Sequence, residues 1–242
     1  SQKEFLVSNN IIELRKISVL GNGSLAGVDI LRFNPKKYIE VDRSDIKQSL
    51  QIPVNSIVLL FVGRVVKDKG VIELVKAFKD TFTDDSNVYL LFVGPQELSL
   101  SDLGIDSDTD SHNRIKFTGY TDAPERYMSI SKVLCIPSYR EGFGTVVIEA
   151  ASMGIPSIGS NIYGLSDSII HGETGLLVKP KNSVELGAAL HKLVYNTELC
   201  FRLGQSAQKR ALKCFSSTVI NKKVIREYEF LLSKKGISCN GE

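Results

Sequence analysis

The sequence is poor in the residues that build metal centres and disulfide frameworks. Its three histidines, His112, His171 and His191, are scattered with no ligand spacing, which argues against a zinc site. Its four cysteines, Cys135, Cys200, Cys214 and Cys239, form no C-x-x-C pair. They read as free thiols of a reducing cytoplasm, with Cys135 a core residue inside an apolar run. No stretch approaches the roughly 20 apolar residues that a membrane-spanning helix needs. The opening SQKEFLVSNN lacks the basic-then-apolar order of a secretory signal. There is no internal repeat and no low-complexity segment. Neither charge dominates: 30 Lys and Arg against 27 Asp and Glu leave a net +3, too mild for an electrostatic nucleic-acid binder.

What is present is an ordinary globular composition, 43 % hydrophobic and 24 % charged. That excludes a disordered chain, a collagen-like repeat and a disulfide scaffold. The 242 residues fit one large domain, or one domain plus part of a second, at roughly 100–200 residues per domain. The dominant rhythm is a short apolar run, a polar loop, then a helical pattern. Ile57–Val62 (IVLLFV) and Val88–Val93 (VYLLFV) read as strands buried on both faces, with shorter strands at 115–118, 133–137, 156–159 and 176–178. Helical patterns follow at 70–78, 123–131, 145–153, 183–195, 198–213 and 218–232.

Alternating strands and helices predict an α/β fold with a doubly wound parallel sheet. Continuous apolarity within the strands agrees, because a parallel sheet is covered on both faces. Ligands of such sheets bind beyond the carboxyl ends of the strands, which directs attention to the loops after Val62, Val93, Thr118 and Pro137. Residues 2–14 read as a helix, 17–20 as a strand and 21–37 as a loop. The expected division is therefore a tail and linker over 1–46 and the compact domain over 47–242.

Three groups of residues stand out. Gly21, Gly23 and Gly27 imitate a dinucleotide fingerprint, but the spacing G-x-G-x-x-x-G is one residue too long and Pro35 follows too early for a crossover helix. These glycines read as turn formers in a linker. Arg64 directly follows the first strand, and Lys69 is placed in the first turn of the next helix, with Asp68 as its N-cap. A cation there opposes the helix dipole unless an anion binds between it and the helix N–H groups. Arg64 can add paired hydrogen bonds to phosphate oxygens. The third group lies in CIPSYREGFGTVVIEAASMG. Glu141 precedes two glycines, and Glu149 sits on a helix among apolar neighbours, where a carboxylate is costly without hydrogen-bond donors such as sugar hydroxyls. Gly142 and Gly144 let the backbone approach a ligand and leave N–H groups at the start of the Thr145 helix free.

These segments resemble the retaining family 4 glycosyltransferases of the GT-B fold. The family's Glu-x7-Glu signature reads Glu141-GFGTVVI-Glu149, and its G-R-x-x-x-x-K-G loop reads Gly63-Arg64-VVKD-Lys69-Gly70. ETGLLVKPKNSVELGAAL is similar to the run beyond the signature. KISVLGNGSLAGVDILRFNP is similar to the interdomain segment of bacterial members that build polysaccharide or lipid-linked glycans.

The resemblance implies the Rossmann-like C-terminal half of a GT-B enzyme and a nucleotide-sugar substrate, with a UDP-sugar favoured. It implies no further cofactor and no metal. Glu149 would hold the ribose hydroxyls and Glu141 the hydroxyls of the transferred sugar. Arg64 and Lys69 would grip the diphosphate as leaving group, making Glu141, Arg64 and Lys69 the catalytic set. The backbone of Gly142, Phe143, Gly144, Thr145 and Val146 would line the sugar and phosphates. The loops after Val93 and at 117–119 would lie against the base.

It implies further that residues 2–14 are the last helix of an acceptor-binding domain otherwise absent, and that 219–232 crosses back to that domain. The chain alone would then bind donor without full transferase activity. The resemblance implies a cytoplasmic enzyme; the basic stretch Lys222, Lys223 and Arg226 reads first as a solvated helix face, and a peripheral contact with the inner face of a membrane, for a lipid-linked acceptor, is the alternative. Two rival readings exist: a non-catalytic docking module of a two-chain transferase, and a dinucleotide-dependent oxidoreductase built on Gly21–Gly27.

Overall fold

The computed structural model describes residues 2–24, 26–105 and 113–235. Six parallel strands form one sheet: β1 (Ile57–Val62), β2 (Val88–Val93), β3 (Ile115–Phe117), β4 (Val133–Ile136), β5 (Ser157–Ser160) and β6 (Gly175–Val178). Their order is β3-β2-β1-β4-β5-β6. The helices in chain order are α1 (Gln2–Ser8), α2 (Glu40–Ser49), α3 (Val71–Thr81), α4 (Pro124–Met128), α5 (Thr145–Ser152), α6 (Leu165–Ser168), α7 (Ser183–Tyr195), α8 (Thr197–Arg210) and α9 (Ser217–Lys234). The doubly wound α/β sheet expected from the sequence is present.

The strand alternation explains the uninterrupted apolar runs. Leu59 and Phe61 of β1, Leu90 and Phe92 of β2, and Val133 and Cys135 of β4 face one core, covered by α3 and α7. Val58, Leu60, Leu91, Val93, Leu134 and Ile136 face the other, covered by α5 and by Met128 of α4. Successive positions in the middle of these strands therefore lose their water on folding, which selects apolar residues one after another rather than at alternate positions.

The second core corrects the reading of the N-terminal region. It includes Val28, Phe33 and Ile46, all of which precede residue 47. Ser152 Oγ at the end of α5 donates to Phe33 O at 2.8 Å. Residue 47 itself lies inside α2, so the packed unit reaches further toward the N-terminus than the expected boundary. Residues 17–20 form no strand, and α1 ends at Ser8 rather than 14. Val28 instead bridges Ser216 in parallel, where a π-helical turn (Ala211–Phe215) joins α8 to α9.

No helix among the described residues is long and apolar enough to cross a membrane. On α9, Ile220 is the only buried side chain, while Tyr228, Phe230 and Leu231 are exposed.

Candidate functional site

β1 and β4 are neighbours, yet the chain leaves them in opposite directions, through α3 to β2 and through α5 to β5. This is the topological switch point of the sheet, the crevice where such folds bind ligands. Both helices that enter it begin at a left-handed glycine, Gly70 (φ +68°) and Gly144 (φ +73°). Neither glycine offers a side chain to cap the first N–H groups. Two helix N-termini with donors unclaimed by a side-chain cap thus face one crevice, each with the partial positive charge of its dipole. The arrangement suits an anion.

Lys69 lies at this crevice, but not in the first turn of α3 as the sequence reading placed it. It ends a single 3-10 turn, Lys67–Lys69, which Gly70 closes, and α3 begins at Val71. Asp68 is accordingly not the N-cap. Only a glycine fits at position 70, since a Cβ there would stand 2.1 Å from Pro137 O. This contact brings the end of β4 directly against the start of α3.

Lys69 Nζ donates to Glu141 Oε1 at 2.6 Å, and Ser138 Oγ donates to the same oxygen at 2.9 Å. The pair is largely shielded, with 24 % and 18 % of the two side chains exposed. The structure therefore joins Lys69 and Glu141, which lie 72 residues apart. Arg64 is not part of this pair. Its side chain is 61 % exposed and bonds Glu97, beyond β2, at 3.1 Å. Gly142 and Thr145 are exposed at the mouth, and Val146 is half-buried. Phe143 anchors the loop: its ring packs edge-on against Phe215 at 5.4 Å. An open cleft of about 590 Å³ runs beside Gly142 and Phe143, with α1, residues 17–24 and Arg210 on its other walls.

Glu149 sits one turn into α5 and is half-buried. No hydrogen bond reaches its carboxylate from the described residues. Burial pushes its pKa above the usual carboxylate value, Arg32 works against that rise, and Glu125 adds to it. The sequence reading missed Arg32. Its guanidinium bonds Glu125 Oε2 at 2.9 Å and also the carbonyl of Asp122, tying the loop before α2 to the segment after β3. It missed two more partners as well. The Tyr139 hydroxyl donates to Glu73 Oε1 at 2.6 Å, and Lys181 Nζ stands 4.6 Å above the Tyr139 ring. The aromatic and acidic residue types were visible in the sequence, but nothing in it pairs residues so far apart.

The remaining sequence candidates take structural places. His171 Nδ1 accepts from Leu177 N at 2.9 Å within a turn. His191 packs on Tyr195. Gly27 abuts Phe215 O and leads into the Val28 bridge, with no helix following, so the G-x-G run builds no dinucleotide turn. Cys135 is wholly buried, which pushes its thiol pKa up and makes it inert. His112 and Cys239 lie outside the described residues. Among the described residues, no group of three His, Cys, Asp or Glu is placed to hold a metal ion.

Comparison with known proteins gives the family and agrees with the fold. Residues 42–210 match the family described as Glycosyl transferases group 1. The capsular polysaccharide biosynthesis glycosyltransferase CapM of Staphylococcus aureus is 30% identical over 240 residues, covering 97% of this chain and 60% of that protein. A glycosyltransferase structure from Rickettsia africae superposes with a TM-score of 0.83 at 23% identity, over 96% of this chain and 61% of that one. Anabaena HepE, solved in complex with UDP, superposes with a TM-score of 0.73 at 24% identity, over 84% of this chain and 56% of that one. The chain thus spans 60% of the length of that relative and about half of others that it matches. With its fold, its switch-point crevice and its sequence all in agreement, the chain belongs to the group 1 family of glycosyl transferases.

Proposed function

We propose that this chain is the donor-binding part of a retaining glycosyltransferase that moves a sugar from a nucleotide sugar, with a UDP-sugar favoured, to a glycan or lipid-linked acceptor. The observation that carries the reading is the Lys69–Glu141 pair set between two glycine-started helices at the switch point. The complexes of the structural neighbour HepE with UDP and with UDP-glucose support the donor class. The likeness to CapM supports polysaccharide synthesis.

In this reading the diphosphate lies against the first-turn N–H groups of α3 and α5, and Lys69 turns from Glu141 to its oxygens. Arg64, at the outer edge of the crevice, closes on the same group. Glu141, released by Lys69, receives hydroxyls of the transferred sugar. Glu149 accepts hydrogen bonds from the two ribose hydroxyls, which supply the donors it lacks. During transfer the bond between the anomeric carbon and the β-phosphate oxygen breaks, and the nucleoside diphosphate leaves with the electron pair. The acceptor oxygen bonds that carbon and gives up its proton to an oxygen of the departing diphosphate. Negative charge grows on the leaving diphosphate, where a lysine and two helix dipoles are already oriented to stabilise it. The acceptor reaches this centre from the side of Gly142 and Phe143, where a preceding domain would close the cleft.

Calorimetry with UDP-, GDP- and ADP-sugars tests the proposal. Binding of one nucleotide class, weakened by Lys69→Ala and by Glu149→Ala, is the expected result. Binding of none, or binding that ignores both substitutions, would overturn it.

A further inference from the structure

The two segments that meet at the crevice, 68–73 and 137–141, are stitched together at more than the Lys69–Glu141 pair. Tyr139 N donates to Asp68 O at 2.9 Å. The Tyr139 hydroxyl reaches past it to Glu73 Oε1 at 2.6 Å, in the first turn of α3. Two residues further on, Glu141 meets Lys69. Tyr139 thus bonds the α3 side through both its backbone and its side chain, and it immediately precedes Arg140 and Glu141.

Glu73 makes this bond weigh heavily. Its other oxygen, Oε2, is buried and has no hydrogen-bond partner. The Tyr139 hydroxyl is therefore the one side-chain donor that the described structure gives this carboxylate. A half-buried carboxylate with one oxygen out of reach of water and a single side-chain donor concentrates its stabilisation in that contact. Lys181 holds the ring from another side, 4.6 Å from its centroid, and adopts a left-handed φ of +60° in doing so. A non-glycine residue in that conformation costs about 1 kcal/mol or more, which the cation–π contact helps to offset. Burial and the bond to Glu73 push the Tyr139 pKa up, so the hydroxyl remains a donor at neutral pH.

We propose that Tyr139 and Glu73 are positioning residues, and that the bond from the Tyr139 hydroxyl to Glu73 holds the Glu141 loop at the distance from Lys69 at which a diphosphate fits. This rests on the donor site proposed above. The bond lies on the phosphate side of the crevice, so its loss acts on the diphosphate and not on the nucleoside.

The experiment titrates UDP and uridine into the chain and into Tyr139→Phe, Glu73→Gln and Glu73→Leu variants, with thermal melts alongside. Gln keeps an oxygen that accepts from the tyrosine, and Leu does not. Tyr139→Phe and Glu73→Leu are expected to weaken UDP about five- to tenfold, as a coupling of this kind should. Uridine affinity should be unchanged in both, and Glu73→Gln should stay within about twofold of the unaltered chain for UDP. Should Tyr139→Phe not fold, the contrast between the two Glu73 variants carries the same test. UDP affinity unchanged in Tyr139→Phe and Glu73→Leu, equal losses of UDP and uridine, or tighter UDP binding in Glu73→Leu would overturn the proposal. Where the unaltered chain takes GDP or ADP in place of UDP, that nucleotide and its nucleoside replace UDP and uridine in the test; failure to bind any of the three would instead sink the donor site, and this inference with it.

Discussion

Replacing Glu149 by Gln should make the protein more stable and a poorer nucleotide binder at the same time. The carboxylate lies on α5 between buried Ile148 and Ala150, and burial has raised its pKa above the usual 4.5. The folded state therefore holds this proton more tightly than the unfolded chain does. The stability linked to it is fully present below the ordinary carboxylate pKa and is lost as pH rises through the elevated folded value. At pH 7 the fold carries a partly buried carboxylate with no hydrogen-bonded partner among the described residues, its burial only partly relieved by Arg32 and aggravated by Glu125. A neutral Gln of the same shape removes that cost, a gain of about 1 kcal/mol. For a chain of this size that is roughly 2–4 °C in Tm. Melts at pH 7 and near pH 4 provide the assay: the gain should be clear at the first and shrink at the second. Calorimetry should show UDP weakened about tenfold by loss of charge-assisted bonds to the ribose. A variant that melts lower at pH 7, or whose gain does not change with pH, would refute the reasoning.

Two other substitutions test the frame around the site. Gly70→Ala forces a side chain into a left-handed φ and against Pro137 O, so a loss of about 3 kcal/mol is expected. A melt within about 2 °C of the parent would contradict the close approach that builds the crevice. Arg32→Met removes the one nearby cation that opposes the rise in the Glu149 pKa and frees Glu125 and Asp122. Nucleotide affinity should fall several-fold, and the pH below which binding is lost should move upward; a pH profile identical to the parent's would exclude this role.

The sheet was legible because three inner strands, β1, β2 and β4, run apolar without a polar break, and a sheet covered on both faces asks for that. Lys69 and Glu141 were legible because each lies in the connection after a strand, beside glycines where the next helix begins. Other features escaped for definable reasons. α2 buries only Ile46, so Glu40–Ser49 shows almost no apolar period. The alternating ISVL at 17–20 imitates a strand, but it joins no sheet, and Leu20 O accepts instead from Gly23 N in a turn. Lys69 was placed inside a helix because the left-handed turn at Gly70 is a property of packing against Pro137, which local sequence does not carry. Tyr139 with Glu73, and Arg32 with Glu125, meet only through the fold. Their spacings of 66 and 93 residues hold no periodic signal.

The most direct measurement is the structure of the chain soaked or co-crystallised with UDP. The account predicts the diphosphate at the start of α3 and α5, Lys69 Nζ turned from Glu141 to a phosphate oxygen, and the ribose hydroxyls on Glu149. A nucleotide bound elsewhere, with the Lys69–Glu141 bond still closed, would contradict it.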